Sequence, residues 1–275
     1  MNRIISLKPK TFITLGVLAL LSVVIFLWPL FVDPSSALSN DAQAPLYLAL
    51  VIPLVLAAVI SEISEDGFDV KAIAMLGVLT ALVAVVRPFG AGTAGFEAVF
   101  FVLILGGRAF GPGFGFILGN TGLFASALLT AGIGPWLPYQ MLAAAWVGFG
   151  AGLLPPLRGK LELLLIIFYG IFASLAYGFL MNMSFWPYAI GASTELSFVP
   201  GAPVLDNLHT FVLFSLTTSL GWDLGRALFT SFLLLLTATP VLGALRRASR
   251  RAAFGVERSF GDTSLPRHAS PDKTQ

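Results

Sequence analysis

Residues 11–32 run for 22 positions without a charged side chain. About 20 apolar residues in helical form are enough to cross the hydrocarbon core of a bilayer. A stretch like this must sit in lipid or among other apolar helices. Its backbone must bond to itself, because lipid offers no hydrogen-bond partner. Further apolar runs cover 45–61, 72–86, 95–105, 111–131, 138–154 and 161–180. The last run, 208–245, is too long for one straight span at 38 residues. It divides into an outer-side helix or half-span over 208–220 and a final crossing over 222–245. The expected fold is an all-α membrane protein, a bundle of about eight transmembrane helices. Composition agrees: 57% of residues are apolar and 11% are charged, against about 25% charged in a soluble domain.

The placement of Lys and Arg gives sidedness. With eight crossings both ends share one side, and that side holds 14 of the 16 basic residues. These include Arg3, Lys8, Lys10, Lys71, Arg108, Arg158, Lys160 and the run from Arg246 to Arg258. Only Arg87 and Arg226 fall elsewhere. The positive-inside rule then places both termini in the cytoplasm of a multi-pass cell-membrane protein. The basic run directly follows a span, so it reads as a stop-transfer and headgroup anchor and not as a nucleic-acid contact. A cleaved leader is a rival reading of the N-terminus, but a signal core is typically 7–15 residues. The acidic residues Glu62, Glu65, Asp66 and Asp69 mark a seam. It separates a two-helix extension (1–65) from a six-helix core (70–248), which a basic, polar tail (249–275) follows.

Several chemistries are excluded outright. The chain has no Cys and two His, so thiolate and polyhistidine metal sites are absent. No cofactor is expected. Gly90-Ala91-Gly92-Thr93-Ala94-Gly95 fits G-x-G-x-x-G, but it links two membrane spans and has no βαβ context. There is no P-loop, so ATP is not bound in that way.

Small residues recur four apart at Gly111, Gly115 and Gly119, at Ala144, Gly148 and Gly152, and at Gly77 and Ala81. That spacing lets helices approach closely. It serves either packing within the chain or a smooth face for a partner, and Gly77, Ala81, Gly111, Gly115 and Gly119 are the candidate partner residues. Ionisable groups at membrane depth are costly and usually functional. Arg87, Glu97, Asp223 and Arg226 are of this kind. The outer turn Gly134-Pro135-Trp136-Leu137-Pro138-Tyr139-Gln140 and the loop 182–207, with Trp186, Tyr188 and Asn207, add aromatic and amide groups suited to a pocket for a flat ligand.

Three segments together resemble a known family: Gly106-Gly107-Arg108-Ala109-Phe110-Gly111-Pro112-Gly113-Phe114-Gly115, Gly132-Ile133-Gly134-Pro135-Trp136-Leu137-Pro138-Tyr139-Gln140-Met141 and Gly150-Ala151-Gly152-Leu153-Leu154-Pro155. With Thr218-Ser219-Leu220-Gly221-Trp222-Asp223, they resemble the substrate-specific S component of energy-coupling factor (ECF) transporters, most of all the actinobacterial cobalamin-type members. The resemblance covers about residues 70–250. It implies a six-helix core that captures a vitamin from outside, a transmembrane T component and two ATPase subunits as partners, and toppling in the membrane to deliver the cargo. The nearest equivalent of the Ala-x-x-x-Ala face seen in many S components is Gly77-x-x-x-Ala81.

The expected function is therefore a non-enzymatic, membrane-embedded substrate-binding subunit of an ATP-driven importer for a vitamin or similar micronutrient. Trp136, Tyr139, Trp186 and Tyr188 are expected to stack on the ligand. Arg87, Glu97, Gln140 and Asn207 are expected to hydrogen-bond it, with Asp223 and Arg226 holding the last helix or reaching the ligand. The alternatives are a membrane-embedded enzyme or an assembly subunit acting on a lipid-linked substrate.

Overall fold

The computed structural model describes residues 9–36, 51–52, 55–57, 70–90, 95–189 and 194–253. Among them all regular structure is helical. The long helices are α1 (Pro9–Leu27), α2 (Val70–Gly90), α3 (Val99–Phe110), α4 (Pro112–Leu129), α5 (Leu137–Leu153), α6 (Gly159–Ala189), α7 (Val204–Thr218) and α8 (Leu220–Ala253). Of the expected second span only the helical residues 51–52 and 55–57 are described. The acidic seam at 62–69, loop residues 91–94 and the tail from 254 lie outside the described residues.

Five helices are long and apolar enough to cross a membrane: Ile13–Leu30, Val70–Gly90, Pro112–Leu129, Gly159–Tyr188 and Leu220–Ala248. The expectation of about eight crossings is not reached among the described residues. The 12 residues of α3 extend only about 18 Å, short of the roughly 30 Å hydrocarbon core.

Two boundaries differ from the sequence reading. Helix α6 does not stop at 180 but runs to Ala189, so Trp186, Pro187 and Tyr188 are helical and not part of a loop. Burial of Trp186 against Phe198 and Phe211 outweighs the donor lost at Pro187, which sits in the last turn. Helix α8 continues past 248 to Ala253.

Glycine determines how the middle of the bundle closes. A Cβ on Gly115 would strike the carbonyl oxygen of Gly148, and one on Gly148 would strike that of Gly115. Gly119 lies against the backbone of Ala144 and Ala145, Gly107 against Gly148, and Gly152 against Pro112. Helices α3, α4 and α5 therefore meet backbone to backbone. Gly111, Gly115 and Gly119 are buried, so these three candidate partner residues offer no outward face. Gly77 differs: it is exposed and a Cβ there would meet nothing within 4 Å. Ala81, one turn on, is exposed as well.

The core runs across the expected seam. Leu15, Leu18, Ile25 and Phe26 of α1 join one buried cluster with Leu103, Phe114 and Leu142. Two indoles tie α1 and the short 3-10 turn that follows it (Trp28–Leu30) to α5: Trp146 Nε1 donates to Ser22 Oγ (2.9 Å) and Trp28 Nε1 to Tyr139 Oη (2.9 Å).

One end of the bundle is closed by charge. Arg108 Nε donates to Glu162 Oε1 (2.8 Å), and its terminal nitrogens donate to the carbonyls of Leu154 (2.7 Å) and Pro155 (2.9 Å). The Leu154 carbonyl is at the C-cap of α5, where helix geometry leaves acceptors without intrahelical partners. Arg246 donates to both oxygens of Glu162, which joins α3, α6 and α8.

The glycine contacts give a direct check. Gly148→Ala is expected to lower the detergent melting temperature by the equivalent of about 1–3 kcal/mol, the usual cost of overpacking. Gly77→Ala should not lower it, because a Cβ there meets nothing within 4 Å and alanine is the better helix former. Equal effects on thermal unfolding would contradict this packing.

Candidate functional site

The short helix α3 creates a recess. Its C-terminal end is anchored at the Arg108–Glu162–Arg246 cluster, so its first residue stops about 12 Å below the other surface of a full-length span. A cavity of about 410 Å³ lies above it. Six helices supply the wall: Arg87 and Pro88 from α2, Val99, Phe100 and Leu103 from α3, Leu123 and Ser126 from α4, Gln140 and Ala144 from α5, Tyr177 and Met181 from α6, and Arg226 from α8. Glu97, just ahead of α3, and Thr130, Gly132 and Trp136 of the α4–α5 turn complete it.

Arg226 is the electrostatic centre. It is buried at 8% exposure, where an unpaired charge would be very costly. Its Nη1 donates to Asp223 Oδ1 (2.7 Å) and to the Ser174 carbonyl (3.2 Å), and Nη2 donates to Glu97 Oε1 (3.2 Å). The guanidinium carbon also lies 5.2 Å from the ring centre of Tyr177 and 5.6 Å from that of Phe100. Both distances fall within cation–π range. The rings themselves meet edge to face at 4.9 Å.

Two glycines make room for this arrangement. A Cβ on Gly178 would collide with the Asp223 carboxylate, so only glycine on α6 lets that carboxylate sit between α6 and α8. Gly95 has φ +85° and lies against the Trp222 carbonyl and the Arg226 amide, and this close approach sets Glu97 beside Arg226. The last glycine of the G-x-G-x-x-G sequence is thus a packing residue.

Arg87 occupies another part of the wall. Its Nη2 donates to Gln140 Oε1 (2.6 Å) and its Nη1 to Ser126 Oγ (3.4 Å). Trp136 stands half exposed beside the cavity.

Of the ten residues expected to touch a ligand, Arg87, Glu97, Trp136, Gln140 and Arg226 line one cavity. Asp223 stands behind them and holds Arg226. The other four lie elsewhere. Tyr139 is buried, accepts from Trp28 and packs edge-on to Phe26. Trp186 is fully buried and donates to the Leu196 carbonyl (2.8 Å). Tyr188 packs against Trp28. Asn207 is buried and bonds both backbone groups of Val199. Each of these fastens α1 or the 194–203 segment to the bundle; none is among the residues that line the cavity. The wall residues missed in the sequence include Phe100, Tyr177 and Met181, which sit inside apolar runs and carry no signal of their own.

No family model, curated protein or solved structure matches this chain.

The Arg226 network predicts a graded response. Asp223→Asn removes a charged acceptor and leaves Glu97 in place, so a loss of about 1.5–3 kcal/mol is expected in thermal unfolding. Gly178→Ala should destabilise in the same direction by displacing that carboxylate. If both variants melt like the parent, the buried pairing is not what holds α6 to α8.

Proposed function

We propose that this chain is the membrane-embedded substrate-binding subunit of an ATP-driven importer of the ECF type, and that the six-helix cavity holds a vitamin-sized solute. The observation that carries the reading is the convergence of Arg87, Glu97, Trp136, Gln140 and Arg226 on one recess of about 410 Å³. That volume falls in the range of roughly 300–1,000 Å³ used by sites for drug-sized ligands.

The polar groups favour binding over catalysis. Acid–base chemistry needs a carboxyl free to exchange a proton with substrate. Both carboxylates near the recess, Glu97 and Asp223, are engaged by Arg226. We therefore assign the chain no enzymatic role and derive its energy from partners. The partners are a transmembrane T component and two ATPase subunits, in keeping with the absence of a P-loop. The exposed small residues Gly77 and Ala81 on α2 supply a smooth surface for the T component. Both termini lie in the cytoplasm and the recess opens outward.

Mass spectrometry of the detergent-extracted chain tests this reading. A small molecule retained at one copy per chain is expected, and Trp136→Ala should weaken its capture about tenfold, equivalent to about 1.4 kcal/mol. Failure of riboflavin, biotin, thiamine and related vitamins to bind above non-specific levels would overturn it.

A further inference from the structure

Two guanidinium groups line the recess, and they are satisfied differently. Arg226 faces two carboxylates. Arg87 meets only the neutral oxygens of Gln140 and Ser126. No carboxylate oxygen of the described residues lies within 4 Å of Arg87. Arg stays protonated at any physiological pH, so the recess keeps a positive charge without an acidic partner. The bond to Ser126 is long at 3.4 Å and gives way easily to a stronger acceptor. The short bond to Gln140 at 2.6 Å holds the guanidinium plane in place. A planar fork held in this way suits a carboxylate, which it can grip through two parallel hydrogen bonds.

Glu97 lines the same recess, so each negative charge on a ligand adds repulsion there, and a monoanion is favoured over a dianionic phosphate. The edge-to-face pair Phe100 and Tyr177, which also flanks the Arg226 guanidinium, lines the same recess.

We propose that Arg87, oriented by Gln140, binds the carboxylate of a ring-bearing monoanion whose ring rests against Phe100 and Tyr177. This rests on the reading that the recess is the solute site and narrows that site to one ligand class.

The test uses the full chain in detergent micelles and equilibrium binding of matched probes. Nicotinate is compared with nicotinamide, biotin with biotinamide, and 4-aminobenzoate with 4-aminobenzamide. Thiamine serves as a cation, riboflavin as a neutral ring and phenyl phosphate as a dianion. At least one acid is expected to bind, with its amide about 10–100-fold weaker, as the loss of a charge-assisted hydrogen bond implies. Arg87→Gln should abolish that acid-to-amide ratio and Arg87→Lys should retain part of it. Gln140→Leu should lower the acid-to-amide ratio, a change in selectivity that a loss of stability alone would not give. If Arg87→Gln fails to fold, the ratio in Arg87→Lys and Gln140→Leu decides. Binding of thiamine, riboflavin or an amide as tight as any acid, or a ratio untouched by all the variants, overturns the carboxylate assignment and leaves the solute site standing. Silence across the whole panel overturns the solute site and this inference with it.

Discussion

A guanidinium buried in a lipid-immersed bundle must be neutralised by its own chain, and Arg226 is such a group. Three separate parts of the chain come together to meet it. Asp223 comes from the preceding turn of α8, the Ser174 carbonyl from α6, and Glu97 from the lead-in to α3. Glycines at 95 and 178 are the residues that permit this approach. Once Glu97 is fixed there, α3 has to begin deep in the bundle, and the volume above it is left to the recess. The cavity is thus a consequence of how one charge is paired.

A second charge cluster fixes the opposite end. Twenty residues of α8 separate Arg226 from Arg246, about 30 Å along a helix and close to the thickness of a hydrocarbon core. Arg246 and Arg108 share Glu162. Arg108 also bonds the carbonyls of Leu154 and Pro155, the two residues that follow α5. The helices are therefore tied together at both polar ends. Between the ends, van der Waals contact and glycine-mediated backbone approach hold them. The end near Arg87 and Trp136 keeps open volume.

Much of this was legible in the sequence because lipid imposes a simple rule on apolar runs. The third to seventh runs matched α2 to α6 to within a few residues, except where Trp186 prolongs α6. The i,i+3 spacing of Asp223 and Arg226 announced their pairing. Arg87 and Glu97 stood out as charges at membrane depth. Other features were ambiguous for physical reasons. An aromatic ring with a polar tip looks the same whether it stacks on a ligand or fastens a neighbouring helix. Tyr139, Trp186, Tyr188 and Asn207 proved to be fasteners. Periodic glycines indicate that some helix approaches closely, not which one. Gly115 and Gly119 face α5 of the same chain, whereas Gly77 faces outward. Phe100 and Tyr177 were hidden because an aromatic within an apolar run is indistinguishable from core until its neighbours are known.

The central claim is that this recess is a water-accessible cup open to the exterior. The natural chain has no cysteine, so one introduced thiol can be read without background. Met181→Cys places that thiol at a partly exposed position in the wall of the recess, and Ser174→Cys places one in the buried α6–α8 contact. A small, membrane-impermeant thiol reagent added to intact cells should modify position 181 far faster than position 174. Equal rates at the two positions, or modification of position 181 only by a lipid-soluble reagent, would contradict the account.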